Sequence, residues 1–414
     1  MSSAPLTQPP APQGSIFALP EFRTIWFAQF VSIFGDFVAL FAIISLITFR
    51  WHGSPVQVTA MTIAYVLPLA IIGPPAGVLV DHWNVKRVMI ASDLTRAVLA
   101  LLLVWVGSVR QIAVVIFAMS VMSSAFMPAQ SISIRTLIPR ERLLQANAML
   151  SQAFYLIRIA SPVVAGAIVA WLSERACFYI DAVSFLFSAL MISRLTIHRP
   201  PREDADKTLK GLSSDFVEGN RFIFTHPGLS SVFLAMAVAM FVLSSFSPLI
   251  SIFVRDQLHA GSFLFGFVSA MVGVGLIVGT ALITRISRGK PKSGIVLIGL
   301  LSLAVGTAVL AGSRIPAFAA VSTFLMGFSI ALVLIPAQTM SQQETPPNMV
   351  GRVSSTFMSM ISIAQVLGLL LSGSLAQRLG MQRLFAACAG ALVLIAFGGW
   401  LWLRSRRQPV PVAV

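Results

Sequence analysis

From Val56 to Val80 the chain carries no charged side chain, and apolar runs of this length recur along its whole extent. A hydrocarbon core about 30 Å thick is crossed by a helix of about 20 mainly apolar residues. Within that core every backbone amide must be bonded inside a helix or a closed barrel. The runs here are continuous rather than alternating, which is the pattern of helices. Twelve spans are predicted, near 22–49, 57–80, 87–107, 112–135, 147–172, 176–196, 228–254, 263–285, 293–312, 316–340, 353–377 and 382–403. The chain is 57% hydrophobic and 10% charged. A soluble domain carries about 25% charged residues, so this sequence cannot clothe a water-facing surface.

Lys and Arg set the orientation, because positively charged loops stay in the cytoplasm. With the N-terminus inside, twenty of the 29 Lys and Arg residues fall on the cytoplasmic side and seven outside, leaving Arg96 and Arg158 within spans. Both termini are therefore expected in the cytoplasm. The formal charge of +15 then belongs to loops that face anionic lipid. No nucleic-acid partner is expected, since that would need a folded basic module. Residues 1–20, rich in Pro, Ala, Gln and Ser and without a positive charge, are expected to be a disordered tail and not a cleaved leader. Cys177 and Cys388, with no clustered His, offer no metal site.

The polar stretch 198–226 divides the spans six and six. The expected organisation is a tail (1–20), a first six-helix half (21–197), a cytoplasmic linker (198–227), a second half (228–404) and a short tail (405–414). The linker part LSSDFVEGNRFIF (212–224) has helical spacing of its apolar residues and is expected to lie as an amphipathic helix on the inner membrane face. FMPAQSIS (126–133) and LIPAQTMS (334–341) share a Pro-Ala-Gln unit offset by 208 residues, and FRWHGSP (49–55) echoes VRDQLHAGS (254–262) at nearly the same offset. Two matches at nearly one offset indicate duplicated six-helix units. Parallel repeats about an axis along the membrane normal mark transporters, with substrate bound near the midplane between the halves.

GVLVDHWNVKRV (77–88) lies between spans two and three. It resembles the G-x-L-x-D-R-x-G-R-[RK] loop of the major facilitator superfamily: Gly77, Leu79, Asp81 and Lys86 match, while His82, Asn84 and Val85 depart. FRTIWFAQFVSIFGD (22–36), GPPAGVLVD (73–81), SDLTRA (92–97) and VGRVSSTFMS (350–359) are similar in style to the drug-efflux branch with macrolide and siderophore exporters. The resemblance covers the whole chain. It implies an all-α polytopic fold of twelve transmembrane helices in two pseudo-symmetric halves, in the plasma (inner) membrane of a bacterium, as a monomer.

It also implies a cytoplasmic gate. Gly77 would let a neighbouring helix approach closely. Asp81 would face the N-terminal end of span eleven near Arg352, where a carboxylate is favoured. Lys86 and Arg87 would anchor the loop, and Asp93 and Arg96 would pair with each other or with Arg135. The segment ASPVVAGA (160–167) resembles a degraded antiporter motif, with Ser161, Pro162 and Gly166 expected to allow close packing and a bend.

Charges at depth are costly and so must face a partner or a cavity. Asp36 and Arg158, near the middles of spans one and five, are the candidates for proton coupling or substrate binding. Burial favours the neutral carboxyl and a nearby cation favours the carboxylate, so such a group can pick up and release a proton. Asp181 reads as the start of span six near the outer surface, an interfacial or structural group. Phe30, Phe34, Phe37, Phe126, Met127, Phe241 and Phe246 are candidates to line a central cavity. No catalytic motif occurs, so an enzyme is not expected, and without a Walker P-loop ATP is not the driver. A transport-dead sensor would be expected to carry a soluble signalling domain. The leading expectation is a secondary active exporter of an amphipathic or hydrophobic small molecule such as a drug or siderophore. It would use no cofactor and a proton gradient as its driving force. The alternative is a lipid or lysolipid translocator on the same scaffold.

Overall fold

The protein, seen in a computed structural model, is described for residues 15–81, 83–197, 221–223, 225–288, 291–346 and 349–405. Six long helices form the first half: α1 (Pro20–Ser45), α2 (Pro55–Asp81), α3 (Val85–Leu102), α4 (Val109–Leu137), α5 (Leu143–Trp171) and α6 (Glu174–Ser193). The second half holds α7 (Pro227–Phe246), the short α8 (Leu249–Asp256), α9 (Ser262–Ile286), α10 (Lys292–Gly312), α11 (Pro316–Glu344), α12 (Val350–Leu379) and α13 (Met381–Ser405). Twelve of these helices are long and apolar enough to cross a membrane. The proposed amphipathic helix at 212–224 lies mostly outside the described residues.

The polar strips between apolar runs supply the helix starts. Asn84, a departure from the family loop, caps α3 by accepting from the Arg87 amide at 3.1 Å. Ser108 does the same for α4 through the Gln111 amide, and Ser173 for α6 through the Ala176 amide. These oxygens satisfy amides that have no partner within the helix. Pro20, Pro227 and Pro316 open α1, α7 and α11, where the missing N–H costs nothing.

The sequence repeat is also a structural one. Helices α4 and α11 each run 29 residues and carry an interior proline, Pro128 and Pro336. His52 and His259 have φ of 50° and 49° and are the non-glycine residues with positive φ among those described. Around them the bonding is duplicated. The Trp51 and Gly53 amides donate to the carbonyls of Leu46 and Ile47, and those of Leu258 and Ala260 donate to Phe253 and Val254. The left-handed histidine in each half ends the first span the same way, so the faint FRWHGSP echo reflects a common turn.

Within the second half, close packing rests on small residues, as expected where lipid supplies no hydrophobic drive between helices. A Cβ on Gly275 (α9) would meet the Phe324 carbonyl of α11, and a Cβ on Gly327 (α11) would meet the Val272 carbonyl of α9. Backbone cannot rotate aside, so overpacking here should exceed the usual ~1–3 kcal/mol. Gly327→Val is expected to remove most folded protein from detergent size-exclusion profiles. Gly390→Ala, at a position with nothing within 4 Å, should leave the profile unchanged.

The halves meet through α5 against α9 and α2 against α12, and many of the contacts gather at one end of the bundle. A Cβ on Gly266 would meet the Pro162 carbonyl, and one on Gly373 would meet the Thr59 hydroxyl. Phe41 stacks on Phe265 at 4.5 Å between centroids. The hydroxyls of Thr48 and Ser251 bond at 2.9 Å. Arg255 reaches over from α8 and donates to the carbonyls of Thr48 (2.8 Å) and Gly53 (3.0 Å). The Ser161–Pro162–Gly166 segment thus packs α5 onto α9 across the pseudo-symmetry boundary.

Candidate functional site

Several ionisable side chains of the first half come together along the inner stretches of α1, α3 and α6. Arg96 of α3 donates through Nη2 to Asp93 Oδ1 at 2.5 Å, and its Nη1 lies 3.5 Å from Asp36 Oδ2 on α1. The guanidinium sits between two rings, 4.7 Å from the Phe126 centroid and 4.3 Å from that of Phe185. Such stacking supports a cation removed from water. Arg96 and Asp93 are buried, whereas the Asp36 side chain keeps 27% of its surface exposed. The pair therefore has a closed back and an accessible front.

A third carboxyl belongs to the group. Asp181 of α6 is fully buried and interacts electrostatically with Asp36 and Arg96. The adjacent Ser184 hydroxyl donates to the Asp181 main-chain carbonyl at 2.7 Å, and neither carboxyl oxygen has a well-placed hydrogen-bond partner. Gly35 makes this possible, since a Cβ there would meet Ser184 and Asp181 Oδ1. Tyr65 of α2 lies within electrostatic reach of Asp36, Arg96, Arg158 and Asp181. Three carboxyls thus surround one stacked guanidinium.

This arrangement redraws several expectations. Asp36 lies against Arg96, and the contact with Arg158 that the sequence leaves open is not among those of the described residues. Asp93 and Arg96 pair with each other in the interior of the first half, while Arg135 is exposed on α4. Asp181, expected to be interfacial or structural, is fully buried against Gly35 of α1, nearly two turns inside α6, which begins at Glu174. Gly77 leaves room for a side chain, its nearest neighbour being Pro128 at 3.9 Å from a modest Cβ. Lys86 is partly buried and Arg87 exposed beside the α3 cap. The side chains of Asp81 and Arg352 lie outside the described residues.

The aromatic candidates separate. Phe126 and Phe246 are buried, the first against Arg96 and the second against Phe385, and neither forms cavity surface. Phe34 lines an apolar groove of about 390 Å³ between α1 and α6 with Val31, Tyr179 and Val183. Phe30 stacks on Trp26, and Phe241 is partly buried against the core. Phe37 meets Phe154 of α5 edge-on at 5.7 Å, and Met127 is exposed. Asp181 and Tyr65 were missing from the sequence-based site. The legible signal for Asp181 was an acid in an apolar run that a Gly-Asp pair on another helix could accommodate.

A family model described as Major Facilitator Superfamily matches residues 25–295 and 232–414. The chain is 28% identical to the uncharacterized MFS-type transporter YfiS of Bacillus subtilis over 90% of each chain. It is 26% identical to macrolide efflux protein A of Streptococcus pyogenes, covering 91% of this chain and 94% of that one. It is 25% identical to the multidrug efflux pump Tap of Mycolicibacterium fortuitum, covering 85% and 90%. Among solved structures, a bacterial homolog of the human lysosomal transporter Spinster superposes with a TM-score of 0.73 at 15% identity, over 96% of this chain and 100% of that one.

Proposed function

Because this chain belongs to the major facilitator superfamily, we propose that it is a proton-coupled exporter of amphipathic or hydrophobic small molecules that works by alternating access. The observation that carries this reading is the Asp36–Arg96–Asp93 cluster, buried behind and open in front at Asp36. Fully ionised, Asp36, Asp93 and Asp181 would outnumber Arg96 by two charges. An intramembrane charge costs at least about 2.5–3.5 kcal/mol, so the cluster is built to hold protons. Protonation of Asp36 frees Arg96 to turn wholly to Asp93, and loss of the proton restores the pair. Each inward proton yields about 2.3 kcal/mol per 100 mV of potential, which uphill export can use. The efflux activities in the names of two relatives support the direction and the substrate class.

The Lys and Arg distribution supports cytoplasmic termini. On that orientation the Thr48–Ser251 and Arg255 contacts lie at the outer end, and the arrangement seen is the outward-closed one. An epitope tag placed after Arg407 should be digested by protease in inverted vesicles and survive in intact cells. Digestion in intact cells would reverse every side assignment. The coupling is tested by efflux of a panel of neutral, cationic and anionic amphipathic molecules from vesicles under an imposed pH gradient, where transport of any of them indifferent to the gradient would remove the proton from the account.

A further inference from the structure

We infer that Arg158 is the anion-binding residue of the transport cavity, so that the exported molecule is an amphipathic organic anion with a carboxylate or phosphate group. This rests on the exporter reading above. Arg158 lies on α5, Leu143–Trp171, whose middle residue is Ile157. Its side chain is nevertheless exposed. It makes no hydrogen bond or ion pair with the described residues, and its electrostatic neighbours are the hydroxyl-bearing Tyr65 and Tyr155. Asp36 lies 3.5 Å from Arg96, and no carboxylate of the described residues stands within ion-pair distance of Arg158. A guanidinium stays protonated in proteins, and an intramembrane cation without a counter-charge must face a water-filled cavity or a partner.

The neighbours show which way Arg158 faces. Helix α5 packs against α1 and α9, while Tyr65 belongs to α2, which packs against α4 and α12. Arg158 is exposed on α5 and Tyr65 half-buried on α2, and the two groups act on one another electrostatically, as side chains bordering one shared space do. Phe37, Phe154 and Tyr155 form a continuous aromatic wall beside it, with centroids 5.7 and 5.8 Å apart. A cation set in such a wall matches a molecule with an apolar body and one anionic group. The planar fork of arginine suits carboxylate and phosphate alike.

The test uses full-length protein in phosphatidylcholine nanodiscs and four probes with one tail: dansylaminoundecanoic acid, its methyl ester, the matching alkyl phosphate and the matching alkylamine. Fluorescence titration of wild type should show the carboxylate, the phosphate or both binding at least about tenfold tighter than ester and amine. Which anion is preferred identifies the headgroup. Arg158→Gln should erase the preference and Arg158→Lys should keep part of it. A second measurement needs no variant: phenylglyoxal labelling of Arg158 in wild type, read by mass spectrometry, should be blocked by the anionic probes and not by the ester. Equal affinity for all four probes, an unchanged preference in Arg158→Gln, or labelling that the anions do not slow would each overturn the proposal. Binding is read at equilibrium without a gradient. A failure of proton coupling therefore leaves this result standing, and a failure here leaves the coupling result standing.

Discussion

Asp36→Asn is expected to abolish pH-gradient-driven efflux while leaving folded protein near its wild-type amount. Asparagine keeps the size of the side chain and can still accept from the Arg96 guanidinium, now 3.5 Å from Asp36 Oδ2. It cannot take up or release a proton. Asp93 remains bonded to Arg96 at 2.5 Å, and Phe126 and Phe185 still flank it. The buried cation therefore keeps its principal partner, and the ~3–5 kcal/mol lost when a buried pair is broken outright does not apply. Efflux from cells expressing equal amounts of each protein, with size-exclusion profiles alongside, checks both halves of the expectation. Efflux at the wild-type rate would move the coupling site elsewhere, Asp93 being the next candidate.

A reversible lock is expected to have an effect as large. The Thr48 and Ser251 hydroxyls touch at 2.9 Å across the two halves, so cysteines at these positions place their sulfurs within bonding reach. In the Thr48→Cys, Ser251→Cys double variant, oxidation should stop transport and reductant should restore it. Each single variant should be indifferent to both treatments. Alternating access requires this end to open once per cycle, and a covalent tie removes that state from the population. Transport at the wild-type rate by protein shown to be cross-linked would mean that this end does not open.

Much of the fold was legible because its signals are local. Apolar runs longer than a membrane is thick fix the spans, while the caps Asn84, Ser108 and Ser173 that set three helix starts emerge only in the structure. The repeat was visible in Pro-Ala-Gln units that occupy matching places in α4 and α11. The site was only partly legible. Asp93 and Arg96 stand three residues apart on one helix, and their pairing follows from helical spacing. The partner of Asp36 did not follow, because it depends on how α6 seats α1 and α3 together. The burial of Asp181 did not follow either, because it comes from packing against Gly35 of α1 and not from where α6 begins. Phe126 and Phe246 illustrate the same limit: both lie in spans that could face a cavity, and only packing shows them turned into the core.

The proton itself tests the central claim most directly. Purified protein would be reconstituted into vesicles loaded with the pH dye pyranine, and a gradient of a transported amphipathic substrate imposed with no initial pH difference. Wild type should move protons against the substrate flux, changing the internal pH in proportion to the substrate carried, and Asp36→Asn should leave it flat. Substrate flux through wild type with no change in internal pH, or proton movement in Asp36→Asn equal to wild type, would contradict the account.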